Sequence, residues 1–167
     1  MLKRLLAITS MAVIGGPALA IECPIPHAIY EQPGGEVRLS FTALPEDAAA
    51  NQIAAFRIAI EGVSAKFEGG IYLPNGFGQP NGAVGLDCTG AEGEQCDFWD
   101  GVVYALGADG IEEYPHDAEI ALAAQMAPRQ VLLPQFAVNV WYSMMRGDAF
   151  AGERKVLDTF TLAACTK

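Results

Sequence analysis

Histidines, cysteines and nucleophilic motifs are scarce in this sequence. It has two histidines, His27 and His116, and four cysteines among 167 residues. The metalloprotease motif HExxH, the nucleophile elbow GxSxG, the redox motif CxxC and the phosphate-binding loop GxxxxGKS/T are all missing. We therefore predict no catalytic residue and no cofactor, with calcium as the one alternative.

Positive charge is scarce as well. Residues 21–167 hold eight basic and twenty acidic residues, a net charge of −12. Between Lys66 and Arg129 there are eleven acidic residues and no basic one. Nucleic-acid binding needs positive charge to neutralise phosphates, so we expect no nucleic-acid partner. The acidic run predicts either a solvated face or a site for a cation or a basic partner.

Long apolar runs are missing after the N-terminus. No later segment reaches about 18 uninterrupted apolar residues, so no membrane span is predicted. At the N-terminus, Lys3 and Arg4 precede the apolar stretch 5–14, and Ala18-Leu19-Ala20 supplies the small residues that a signal peptidase requires. Residues 1–20 are therefore expected to be a cleavable, bacterial-type signal peptide.

The residues after this segment bear on lipid anchoring and on the number of domains. Glu22 directly precedes Cys23, and a charged residue there fits a lipoprotein signal poorly, so no lipid anchor is expected. The length of residues 21–167 is typical of one domain. We predict a single β-rich, disulfide-stapled domain, periplasmic or secreted.

All four cysteines lie after residue 20, and an even number in an oxidising compartment predicts two disulfides. Three pairings are possible. Cys88 and Cys96 are separated by a short Gly- and Glu-rich loop that closes easily, which leaves Cys23 for Cys165. Domain termini often lie close together, so this second bond is geometrically reasonable. Zinc is disfavoured because the cysteine spacings do not fit a zinc site.

Alternating polar and apolar residues predict strands, most clearly at 36–42 and 55–61. Other β-prone runs follow, with turn signals about every 8–12 residues. This pattern predicts a mainly β fold, either an antiparallel β-sandwich or a partly open barrel. The segment 118–126 fits both a strand and a helix, and a strand is favoured because the segment is short and precedes Pro128.

One α-helix is predicted in the C-terminal half, at about 134–146. Pro134 suits a first helical turn, and Gly147 suits a helix end. Apolar residues recur at three- and four-residue spacing, and they are expected to face the core. This stripe comprises Ala137, Val140, Trp141, Met144 and Met145.

Carboxylates on predicted loops offer a candidate cation site. Calcium takes about six to eight oxygen ligands from flexible loops. Five acids flank the β-prone run 101–106, but the chain must fold back for the two groups to share one ion. These candidates are Asp97, Asp100, Asp109, Glu112 and Glu113.

Aromatic residues in or beside the Gly-rich loops offer a candidate partner-binding surface. They are Tyr72, Phe77, Phe98 and Trp99. Aromatic side chains among Gly and Asn are typical of binding loops, although they also anchor a loop to its own core.

Together these features favour an exported, non-catalytic binding domain that uses the acidic, Gly-rich region 69–119. Its partner, a protein or a small ligand, is not identified by the sequence. One alternative is a small envelope hydrolase that uses a carboxylate pair or His116 with Asp117. Another is a calcium-stabilised structural module of an envelope assembly.

Overall fold

The structure is a computed structural model that describes residues 21–74, 78–86, 96–117 and 120–166. Phe77, Cys88 and the segment 1–20 lie outside these ranges. The signal peptide and the Cys88–Cys96 pairing therefore stay predictions.

The described residues form a ten-stranded sheet that curls into a half-barrel, and all of its strand pairs are antiparallel. This confirms the predicted mainly β, partly open barrel. The strands, in chain order, are β1 (Ala28–Glu31), β2 (Val37–Thr42), β3 (Gln52–Ile60), β4 (Phe67–Tyr72), β5 (Asn81–Leu86), β6 (Cys96–Val102), β7 (Tyr104–Gly107), β8 (Gly110–Glu113), β9 (Gln130–Leu132) and β10 (Thr159–Cys165).

Strand order explains the curl. The order across the sheet is β6-β5-β4-β3-β2-β1-β10-β9-β7-β8, so β6 and β7 lie near opposite ends. Yet only Val103 separates them in the chain. Val103 is fully buried, and its backbone N–H donates to the Pro80 carbonyl at 2.9 Å. The sheet must therefore bend round until its two ends approach each other along the segment 96–107.

The inner face of the sheet holds the core. In β2, Val37, Leu39 and Phe41 are buried, as the alternating pattern predicts. In β3, Phe56 and Ile58 continue the same apolar rows, because Phe41 pairs with Phe56 and Leu39 with Ile58. Burial of such rows on one face removes apolar area from water and supplies most of the stabilisation of the sheet.

The predicted disulfide between Cys23 and Cys165 is confirmed. The two Cα atoms are 5.7 Å apart, and Cys23 is completely buried. Strand pairing holds the same region, since β1 pairs with β10 and the Thr166 N–H donates to the His27 carbonyl at 2.8 Å. A disulfide is the covalent state expected in an oxidising, extracellular compartment.

The predicted C-terminal helix is present but divided into α1 (Phe136–Tyr142) and α2 (Arg146–Ala149). Ser143 adopts extended backbone at the break. Its hydroxyl donates to the Val140 carbonyl at 2.7 Å and accepts from the Met145 N–H at 3.2 Å. A serine that bonds to nearby backbone competes with helical hydrogen bonds, so the helix ends there.

The N-terminus of α1 is capped from a distant part of the chain. Both carboxylate oxygens of Asp158 accept backbone hydrogen bonds, from Gln135 at 2.9 Å and from Ala137 at 2.8 Å. Gln135 itself has φ 65°, a conformation that a non-glycine residue adopts only at some cost. The carboxylate satisfies two orphan donors and balances the positive end of the helix.

Two expectations about this half of the chain are wrong. Trp141 and Met144 of the predicted stripe are exposed, whereas Phe136 and Val140 face the core. In the ambiguous segment 118–126, the described residues form a 3₁₀ helix at Leu122–Ala124 rather than a strand. Apart from one bridge between Pro24 and Met126, no strand pairing is present there among the described residues. No helix of the described ranges is long and apolar enough to cross a membrane.

Candidate binding groove

The outer face of the sheet carries small side chains where β3, β4 and β5 lie side by side. Register places Ala55 opposite Gly70, and Gly70 opposite Ala83. Thr42 and Asp100 end this row on β2 and β6. The inner face of the same strands carries bulky apolar side chains, so the two faces of the sheet differ in side-chain size.

A second row lies beside the first on the same face and carries charge. Arg57 pairs with Glu68, Glu68 with Gly85, and Gly85 with Asp97. The Arg57 Nε donates to the Glu68 Oε1 at 2.9 Å. Both side chains are exposed, so this ion pair contributes little stability and its members can take new partners at small cost.

Glycine at position 70 lets two longer side chains lie against the sheet. A Cβ at Gly70 would stand 2.7 Å from the Gln52 Nε2 and 2.8 Å from the Tyr72 hydroxyl oxygen. Any side chain at position 70 would therefore displace both of them. The glycine keeps the Tyr72 ring along β4 on the outer face.

These residues line one open groove of about 800 Å³. We call it the outer groove: its floor is Ala55, Gly70, Ala83 and Gly85, and its sides are Arg57, Glu68, Tyr72, Asp97 and, from the end of β2 to the start of β3, Thr42, Ala43, Pro45, Asp47, Ala48 and Gln52. Asp47 adds another acid from the loop between β2 and β3. Three carboxylates against one guanidinium make the groove negative.

The predicted partner-binding aromatics separate in the structure. Tyr72 lies in the outer groove, and Phe77 is outside the described residues. Trp99 is buried and Phe98 half-buried, because a β-bulge inserts Phe98 opposite the Val84–Gly85 step and turns both rings inward. The Phe98 ring contacts Phe67 and Phe136, at centroid distances of 5.0 and 6.0 Å.

The five candidate cation ligands also separate. Asp97 lines the outer groove. Asp100 lies on the same strand, at the end of the neighbouring Ala55–Gly70–Ala83 row. The other three, Asp109, Glu112 and Glu113, belong to the exposed β7–β8 hairpin. In the part of the chain that the structure describes, no three His, Cys, Asp or Glu residues group as a metal site.

The ring of His116 contacts its own loop. Its Nδ1 lies 2.9 Å from the Tyr114 carbonyl oxygen, and its Nε2 lies 3.6 Å from a Glu113 carboxylate oxygen. A carbonyl oxygen only accepts, so this hydrogen bond forms when Nδ1 carries a proton. The Nε2 contact places the ring beside Glu113, and the hydrolase built on His116 and Asp117 stays a prediction.

Two tyrosines are buried on the inner side of the sheet. The Tyr30 hydroxyl donates to the Pro128 carbonyl at 2.8 Å, whereas the Tyr114 hydroxyl has no hydrogen-bond partner among the described residues. The Tyr114 ring stacks on Phe41 at 6.3 Å between centroids. Burial raises the pKa of both hydroxyls above the ordinary value, and Tyr30 raises that of Tyr114 further.

The free energy of unfolding is therefore expected to fall as the pH rises above about 10. In the unfolded chain Tyr30 and Tyr114 ionise near that pH, whereas in the folded protein their raised pKa values keep them neutral. Their stabilisation is complete below about pH 10 and is lost as the pH rises towards the folded values. Urea denaturation across the alkaline range measures this slope.

The double variant Y30F/Y114F should flatten that slope. Tyr142→Phe is the matched control, because Tyr142 is exposed and should leave the slope as in wild type. If the double variant and the control keep the same slope, the buried tyrosines are not its cause.

Comparison with known proteins found no matching family model, no similar curated protein and no similar solved structure. The function is therefore inferred from the residues of this chain alone.

Proposed function

We propose that this chain is an exported, non-catalytic binding domain, and that the outer groove is its binding site for a protein partner with basic and bulky side chains. The observation that carries the proposal is the groove itself: a negative, open depression of about 800 Å³ with a floor of alanine and glycine. Part of it comes from the region 69–119, which supplies Tyr72, Ala83 and Asp97.

The shape of the groove favours a polypeptide over a small apolar ligand. Sites for small molecules are typically enclosed and lined by apolar and aromatic side chains. The outer groove lies on an exposed sheet face, and apart from the Tyr72 ring its lining is mostly charged, polar and small side chains. Such a surface accepts side chains that project from a partner into the space above Ala55, Gly70 and Ala83.

The charge of the groove favours a basic partner. The groove has one basic side chain, Arg57, and three acidic ones, Asp47, Glu68 and Asp97. Of these acids, Glu68 forms an exposed ion pair with Arg57. A lysine or arginine of the partner would gain charge-assisted hydrogen bonds from these carboxylates. Complementary charge raises the association rate and selects against acidic partners more than it raises affinity.

Filling the groove is expected to weaken binding at least about tenfold, the equivalent of about 1.4 kcal/mol. Ala83→Trp places a large ring on the floor, and Ala59→Trp is its matched control, since Ala59 is an exposed alanine of β3 that does not line the groove. Displayed random peptides selected on the wild-type protein provide the probes, and isothermal titration measures their affinities.

The selected peptides should be rich in arginine or lysine. Asp97→Lys should weaken them as well, whereas Glu61→Lys, an exposed acid outside the groove, should have little effect. Selection of peptides without basic residues, or equal affinities for the A83W and A59W variants, would contradict the proposal.

A further inference from the structure

Helix α1 is apolar on nearly all sides, yet the described residues cover only one side. Phe136 and Val140 are buried against the core. Val138, Trp141 and Tyr142 lie on the opposite side, 49 %, 40 % and 83 % exposed, and Met144 just beyond the helix is fully exposed at 101 %. We call these four residues the helix patch. A helix that is apolar all round normally has a neighbour on each side, and the described residues supply none over the patch.

Positive charge lies beside the helix patch. The guanidinium of Arg146 lies 3.6 Å from the centroid of the Trp141 ring, in a cation–π contact. Residues 129–167 hold five basic and three acidic residues, whereas residues 21–128 hold three basic and seventeen acidic ones. The chain therefore joins an acidic part that contains the outer groove to a weakly basic part that contains the patch.

The helix patch and the outer groove complement each other in size and in charge. The patch projects bulky side chains and Arg146, whereas the groove has a floor of Ala55, Gly70 and Ala83 with carboxylates around it. Trp, Tyr, Met and Arg are enriched at the centres of protein interfaces. Large aromatic side chains that enter a pocket beside an opposite charge are the residues that dominate binding energy there.

We propose that the helix patch of one copy of this chain occupies the outer groove of a second copy. The proposal rests on the proposed function, because it names the partner of the same groove. The two surfaces are different parts of the chain, so the contact is heterologous: each copy in a pair keeps one free groove or one free patch. Copies therefore add head to tail. An anionic lipid surface is a poorer occupant, since the net charge of −12 over residues 21–167 repels it.

Sedimentation velocity of the protein purified after export tests this inference. The wild type should form dimers and larger species as its concentration rises, at physiological ionic strength. The Y142E/M144E variant, which loses the patch, and the A83W variant, which loses the groove, should each stay monomeric. Because Tyr142, Met144 and Ala83 are exposed, all of these variants should keep the wild-type melting temperature. The A59W control should assemble like the wild type.

Mixing the two defective variants gives the decisive result. The A83W copy still has a patch and the Y142E/M144E copy still has a groove, so an equimolar mixture should form heterodimers and nothing larger. A mixture that stays monomeric overturns the proposal, as does a wild type that stays monomeric at every concentration. Flotation of wild type and A83W, but not Y142E/M144E, with phosphatidylglycerol vesicles would assign the patch to lipid and overturn it too.

Peptide affinity separates this inference from the proposed function. The Y142E/M144E variant should bind the selected basic peptides at least as tightly as the wild type, because its groove is intact and no patch of another copy competes for it. If the wild type is monomeric and still binds these peptides, only the self-assembly is wrong. If it neither assembles nor binds them, the proposed function of the groove is wrong as well.

Discussion

Replacing both Cys23 and Cys165 by alanine is expected to lower the free energy of unfolding by about 5 kcal/mol. The bond joins residues 142 positions apart, so it removes a large loop-closure entropy from the unfolded chain. Alanine is preferable to serine because Cys23 is fully buried, and a serine there would add a buried hydroxyl. Urea denaturation of the variant and the oxidised wild type measures the difference.

The fold of this variant should survive, since the pairing of β1 with β10 holds Ala28 opposite residue 165 without the bond. Its far-ultraviolet circular dichroism should match that of the wild type. Replacement of Cys88 and Cys96 by alanine is the control. Their predicted bond closes a much shorter loop, so its loss should lower the free energy of unfolding by only about 2.5 kcal/mol. A loss smaller for the Cys23–Cys165 variant than for this control would contradict the loop-entropy explanation.

Trp99→Ala is expected to lower the free energy of unfolding by about 3–5 kcal/mol. The side chain is 3 % exposed, and its Nε1 donates to the Pro134 carbonyl at 2.8 Å. Two glycines make room for the ring, since a Cβ at Gly82 or Gly101 would stand 2.9 or 3.0 Å from its atoms. Truncation therefore leaves a cavity and an unpaired carbonyl where the sheet meets the segment before α1.

The second tryptophan supplies a matched control. Trp141 is 40 % exposed and packs on Phe150 and Arg146, so Trp141→Ala should cost about 1 kcal/mol or less. Urea denaturation followed by circular dichroism, rather than by tryptophan fluorescence, compares the two variants on one scale. Similar losses in the free energy of unfolding at the two positions would contradict the stabilising role of the buried Trp99 side chain.

The outer groove illustrates what could not be predicted from the sequence. Tyr72 and Asp97 are in the region that the sequence singles out, but Arg57 and Ala55 come from a strand outside it. These residues become neighbours only through the registers of β3 with β4 and of β5 with β6. Register depends on non-local pairing, and a shift of one residue would move every side chain of a strand to the other face.

The sequence by itself determined the features that depend on local patterns. Alternation in 36–42 and 55–61 was enough to identify strands and their buried faces, because the side-chain period of a strand is two. Cysteine number and spacing were enough to pair Cys23 with Cys165, and the charge count separated an acidic part from a weakly basic one. The helix was also located, because its apolar spacing and end signals are local.

Only the tertiary structure decided which surfaces these elements leave open. The bulge at Phe98 turned two consecutive aromatics inward, and the curl of the sheet brought its two ends together where β6 continues into β7. Helix α1 is apolar on both sides, so its composition alone did not show that Trp141 lies outside and Phe136 inside. Packing against distant strands and capping by Asp158 fix the orientation of that helix, and such contacts are not encoded in the period of a single segment.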